Sequence, residues 1–266
     1  MIQRLISAIV MLAIIIPAFI LGGTIFNILI LVLSVLGLRE FLNIKQSKKD
    51  VPFFIQFISY VMLTLFICTN VSNKDIIYSV DYRLITGLFL VFSVPAVLYH
   101  DRSLYSIVDS FYFIGAIFFL GISFSLMILY RNMNVELLVY LVLITAFTDT
   151  FAYIIGMLIG KHKLIEEVSP KKTWEGTIAG SIFGTFIATC FYITIIDPCI
   201  DLYIVVFMTL FLSVLGQFGD LFFSSIKRYY SKKDFSNLIP GHGGILDRLD
   251  SIIFVILGFT FFITII

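Results

Sequence analysis

Charge is what this chain has least of. Of its 266 residues only 13% are charged, while 60% are hydrophobic, and the mean hydropathy is +1.06. A water-facing fold cannot be covered with so little polar surface, which excludes a soluble globular domain. The few charges nearly cancel, 18 Lys and Arg against 17 Asp and Glu. With no basic surplus there is no bulk attraction for a polyanion, and nucleic acid is excluded as a partner. Cysteine is scarce too. Cys68, Cys190 and Cys199 lie in or beside apolar runs, with neither CxxC nor zinc spacing, so they imply no disulfide framework and read as small buried hydrophobes. Six prolines form no Pro/Ser-rich linker, and no internal repeat is visible. The expectation is one integral membrane domain over 1–266, with N-terminal helices in 1–130 and the chemistry in 135–266.

What the chain has in excess is long apolar runs. A spanning helix needs about 20 mostly apolar residues. That length places spans near 5–21, 24–43, 53–72, 83–99, 105–130, 135–159, 174–196, 202–227 and 246–266, an all-α polytopic membrane bundle of about nine helices. Gly22-Gly23 divides the first two, the weakest of these divisions. The apolar run after Met1-Ile2-Gln3-Arg4 continues past a signal-peptide core, so it reads as an uncleaved first helix. With nine spans, 15 of the 18 Lys and Arg residues fall on the side of the N-terminus, and only Lys74, Arg83 and Arg131 on the other. The positive-inside rule then puts the N-terminus and the loops at 160–175 and 227–248 in the cytoplasm, in a multi-pass cell-membrane protein. Lys45, Lys48 and Lys49 read as topological anchors or as a contact for anionic lipid.

Against that background, one polar cassette stands out: Gly219-Asp220 to Lys227-Arg228, Lys232-Lys233-Asp234, and Pro240-Gly241-His242-Gly243-Gly244-Ile245-Leu246-Asp247-Arg248-Leu249-Asp250. A charged side chain near the membrane centre costs roughly 2.5–3.5 kcal/mol on insertion scales, so such a run needs a chemical reason. Asp220, Ser224 and Lys227 are spaced i, i+4, i+7 and share a helix face; Asp247 and Asp250, at i and i+3, share another. Acidic groups on two helices at one depth can hold a divalent ion, since carboxylates are hard oxygen ligands. The plainer reading makes them helix caps paired with Arg228 and Arg248. The glycines read as a turn, or, leading into a helix N-terminus beside basic residues, as a triphosphate cradle with His242 donating to a phosphate or a base edge. His242 has no ligand-spaced partner for zinc. Asp149 stands in the middle of the sixth apolar run and must face a polar interior. Lys171, Lys172 and Trp174 read as interface anchors at the entry to the seventh helix.

The run from Ser224 to Asp250 closely resembles the signature of the phosphatidate cytidylyltransferases. Ser224, Lys227, Arg228, Lys233, Asp234, Ser236, Pro240, His242, Gly243, Gly244, Asp247, Arg248 and Asp250 all fall on it, without departure. The block from Asp149 to Gly156, through Gly160-Lys161 to Ser169-Pro170-Lys171-Lys172-Thr173-Trp174-Glu175-Gly176, resembles the same family. The resemblance covers roughly the C-terminal half and implies a membrane enzyme that joins CTP and phosphatidate to give CDP-diacylglycerol and diphosphate. It implies Mg²⁺, with room for a monovalent co-ion. Asp220, Asp247, Lys227 and Lys172 would then be catalytic, and Asp220, Asp247 and Asp250 metal ligands with Asp149 beside them. Lys171, Thr173, Ser224, Arg228, Lys233, Asp234, His242, Gly243, Gly244 and Arg248 would bind substrate. Membrane lipids are the surroundings, and a homodimer is compatible with the resemblance. The alternatives are a CTP-dependent lipid or polyprenol kinase, which the full cassette speaks against, and a transporter, which would show broken helices in two halves.

Overall fold

A computed structural model describes residues 2–72, 81–99 and 101–262. Lys74 and the end of the ninth expected span, 263–266, lie outside the described residues. The helices are α1 (Ile2–Leu21), α2 (Gly23–Gln46), α3 (Phe53–Ser72), α4 (Tyr82–Leu98), α5 (Ile107–Met133), α6 (Val135–Ile159), α7 (Trp174–Phe191), α8 (Leu202–Tyr229) and α9 (Leu246–Phe259). A π-helical turn, Tyr192–Ile196, prolongs α7. Five of these, α2, α5, α6, α7 with its π turn, and α8, are long and apolar enough to cross a membrane. Three shorter apolar segments lie at Ile6–Leu21, Phe53–Thr69 and Tyr82–Leu98. In hydrocarbon every backbone polar group must be satisfied internally, and helices do this within the segment.

One expectation fails locally. Residues 163–173, read as a loop and helix entry, form a hairpin instead: β1 (Lys163–Ile165) pairs antiparallel with β2 (Ser169–Thr173). The hairpin ends in a cap, since Thr173 accepts a hydrogen bond from the Gly176 amide at the start of α7.

The chain forms two compact units. The first is Met1–Asn132 with Asp234–Leu246, the second Met133–Lys233 with Asp247–Ile266. Segment 234–246 packs with the N-terminal helices. Phe235 lies against Phe41 of α2, ring centroids 5.6 Å apart, and the segment is hydrogen-bonded to Glu40. In this first unit the loop cations are not simple anchors either. Lys45 is buried, 2.6 Å from Asp109, and Lys49 also pairs with Asp109. The Arg131 guanidinium donates to the Phe19 and Ile20 carbonyls, closing the end of α1.

In the second unit α6 and α7 pack with unusually close backbones. A Cβ at Gly180 would lie 2.6 Å from the Thr148 carbonyl oxygen and 2.7 Å from the Ala152 Cβ. Small residues four apart permit this approach where no hydrophobic drive joins helices in lipid. Hydrogen bonds between helices add to it: Tyr140 with Thr209 at 2.7 Å, Thr148 with Ser213 at 2.7 Å, and Gln217 to Ser181 at 2.7 Å. This packing seats Thr148 against α7 and α8 and so sets the position of Asp149, the next residue of α6.

Candidate active site

The second unit gathers its charged groups at one place. α6 brings Asp149, β2 brings Lys172, α8 brings Asp220, Ser224 and Lys227, and α9 brings Asp247 and Asp250. Lys172 Nζ lies 2.7 Å from Asp220 Oδ2, both side chains part-exposed. Lys227 Nζ lies 2.6 Å from Asp247 Oδ1, with side-chain exposures of only 9% and 5%. Ser224 Oγ donates to Asp220 Oδ1 at 3.2 Å, one helical turn away, as the shared face requires. Asp250 is buried and accepts from the Ser251 amide, while the Ser251 hydroxyl reaches Asp149 at 3.5 Å. Asp149 is exposed although it stands in an apolar helix, so it borders open space. It lies within range of the charges of Lys172 and Asp220, and Asp250 within range of Asp220, Lys227 and Asp149.

Asp220 and Asp247 are thus each paired with a lysine from another element. Arg228 directs its guanidinium to main chain: Nε donates to the Val168 carbonyl and an Nη to the Lys232 carbonyl. It ties the end of α8 to the hairpin loop. Thr173 is spent on its cap, and Lys171, Lys233, Asp234 and Arg248 are exposed.

Four carboxylates stand against two ammonium groups in this cluster, an acidic excess made only of hard oxygen donors. The chemistry fits a divalent cation such as Mg²⁺. Among the described residues, however, no three His, Cys, Asp or Glu side chains converge as a ready ligand set.

The glycine loop belongs to the first unit and differs from a cradle of open amides. Gly241 and Gly243 take positive φ, 78° and 86°, and the His242 and Gly243 amides both donate to the Ile239 carbonyl. The Ile245 and Leu246 amides donate to Glu40. Ser7 Oγ donates to the Pro240 carbonyl and meets His242 Nδ1 at 2.8 Å. Ser7 and Glu40 were missed in the sequence. Glu40 had a signal, an ionisable residue in an apolar helix, whereas Ser7 had none.

Over residues 2–266 the chain matches the cytidylyltransferase family. It is 32% identical over 254 residues to the phosphatidate cytidylyltransferase of Staphylococcus haemolyticus, covering 95% of each chain. The same identity and coverage hold for the phosphatidate cytidylyltransferase of Staphylococcus aureus strain COL. For that of Staphylococcus epidermidis the identity is 31% over 255 residues.

Proposed function

The chain belongs to the cytidylyltransferase family, and from that premise we propose that it is a phosphatidate cytidylyltransferase of phospholipid biosynthesis. A phosphate oxygen of phosphatidate attacks the α-phosphorus of CTP. A new P–O bond forms, the bond from the α-phosphorus to the bridging oxygen breaks, and diphosphate leaves with that electron pair. The products are CDP-diacylglycerol and diphosphate. The observation that carries this reading is the clustering of Asp149, Asp220, Asp247 and Asp250 with Lys172 and Lys227, within a family match that spans the chain.

Two anions must meet for this reaction, so the protein's task is neutralisation and alignment, with no covalent intermediate required. Lys172 and Lys227 neutralise phosphate oxygens, and both are held in place by the carboxylates they pair with. Asp220, Asp247 and Asp250 would hold Mg²⁺, with Asp149 beside them. The ion would supply further neutralisation of the phosphates and a better leaving diphosphate. Ser224 keeps the Asp220 carboxylate oriented. Exposed Lys171, Lys233 and Arg248 attract the nucleotide, and Asp234, His242 and Gly243 belong to the same family signature for substrate. In the membrane we assign nine crossings, the N-terminus and both signature blocks cytoplasmic, on the strength of the Lys and Arg distribution. Phosphatidate enters sideways, its tails kept in hydrocarbon.

The test is purified protein with CTP, phosphatidate and Mg²⁺, with diphosphate and CDP-lipid measured together. Equal amounts of both are expected. A phosphorylated lipid with CDP and no diphosphate would identify a kinase instead. Glycerol 3-phosphate has the same monoester without tails and should be a poor acceptor; if it reacts as well as phosphatidate, sideways entry is refuted.

A further inference from the structure

Glu40 is a buried carboxylate of the first unit whose partners lie far from it in the chain. It lies on α2, is 2% exposed, and uses both oxygens. Oε1 accepts from the Ser236 hydroxyl at 2.6 Å and from the Ile245 amide at 2.8 Å; Oε2 accepts from the Leu246 amide at 2.9 Å. A helix N-terminus leaves its first amides without intrahelical partners and carries a partial positive charge, which favours an anion there. For α9 that anion is Glu40, brought from a helix some 200 positions earlier in the chain.

Gly244 gives an independent sign of the same contact. A Cβ on it would stand 2.5 Å from Glu40 Oε1, 2.7 Å from Cδ and 2.7 Å from Oε2. Its φ is not positive, unlike those of Gly241 and Gly243. An alanine at 244 would therefore suit the backbone, and the obstacle to it is the carboxylate. The second glycine of the His-Gly-Gly run leaves room for an internal anion.

We infer that Glu40 is a positioning residue for the proposed reaction. Its carboxylate clamps segment 236–246 and the first turn of α9, and so fixes the start of the helix whose next residue is Asp247. This rests on the cytidylyltransferase reading for its link to catalysis. The clamp itself does not depend on that reading.

The test couples kinetics to amide exchange on the full-length protein in detergent. Glu40→Gln keeps the side-chain volume but turns one of the two acceptor oxygens into a donor, which then faces either the Ile245 or the Leu246 amide. It should lower kcat by about 10–100-fold, the range seen when a partner that orients an active-site ligand is lost. KM for CTP and for phosphatidate should move less than about threefold, since uniform binding is untouched. A role in folding alone would lower the yield or Tm and leave kcat of the folded enzyme unchanged, and that result overturns the inference. Gly244→Ala should resemble Glu40→Gln. In a Glu40→Ala background, where the carboxylate is gone, Gly244→Ala should cost less than about twofold more. Losses that multiply would mean that Gly244 acts on its own, against the inference. Should Glu40→Ala fail to fold, hydrogen exchange decides: the Ile245 and Leu246 amides should be protected in the unmodified protein and exchange faster in Gly244→Ala. Equal protection in both overturns the clamp. If the unmodified protein makes no CDP-diacylglycerol, the proposed activity fails, while the exchange experiment still tests the clamp.

Discussion

Replacing Lys227 by methionine should damage this protein in two separable ways. Its ammonium lies 2.6 Å from Asp247, and the two side chains are only 9% and 5% exposed. Removing one partner of such a pair strands the other charge in a poorly solvated place, at a cost of about 3–5 kcal/mol. At 1 kcal/mol per few degrees for a chain of this size, Tm should fall by roughly 10 °C. Replacing both partners, Lys227→Met with Asp247→Asn, leaves no isolated charge and should recover most of that loss, because a buried pair contributes little net stability over neutral groups. Activity should not recover, since the proposed reaction uses both groups on the phosphates or the ion. Lys172 is the control. It pairs with Asp220 at 2.7 Å; its Nζ is shielded from solvent, but Asp220 is 30% exposed against 5% for Asp247, so the charge left behind keeps more water and its loss should cost less. Lys172→Met should therefore abolish most activity with a smaller fall in Tm. The assay is thermal unfolding in detergent beside formation of CDP-diacylglycerol. If Lys227→Met unfolds no earlier than Lys172→Met, or the double variant is no more stable than the single one, burial is not what distinguishes these two pairs.

Asp220→Asn and Asp247→Asn should each lose nearly all turnover while still inserting in the membrane, and excess EDTA should stop the unmodified enzyme; wild-type rates under EDTA would refute the divalent ion. For orientation, a cysteine at the exposed Leu238, with Cys68, Cys190 and Cys199 replaced, should react with an impermeant maleimide only from the cytoplasmic face. Reaction from the outer face alone would refute the assigned topology. Arg228→Lys should cost several-fold in activity, because one ammonium cannot reach both the Val168 and Lys232 carbonyls as the planar fork does. Full activity in that variant would show that the hairpin loop needs no tie to α8.

What could be seen in the sequence follows from how local each cause is. Helices α2 to α8 lie within a few residues of the expected spans because length and apolar composition decide them one segment at a time. The Asp220, Ser224, Lys227 face was legible for the same reason, since helical spacing alone brings Ser224 onto Asp220. The hairpin at 163–173 was not. Ser169-Pro170-Lys171-Lys172-Thr173 has no strand-like alternation, and only its pairing with 163–165 makes it extended. The lysine partners of Asp220 and Asp247 were hidden too, because sequence proximity favoured Arg228 and Arg248 while the fold brought Lys172 and Lys227.

The glycine loop shows the limit most sharply. Glycines before a helix N-terminus point to an anion, because free amides and the helix dipole attract one whatever its source. The pattern could not say that Glu40 would supply it. That depends on α2 passing the start of α9, a contact across more than 200 residues that no local spacing encodes. A glycine-rich phosphate signature and a glycine that makes room for the protein's own carboxylate look identical when written as letters. They part only in the response to Gly244→Ala once Glu40 is gone, which is indifferent for the internal anion and harmful for a bound phosphate.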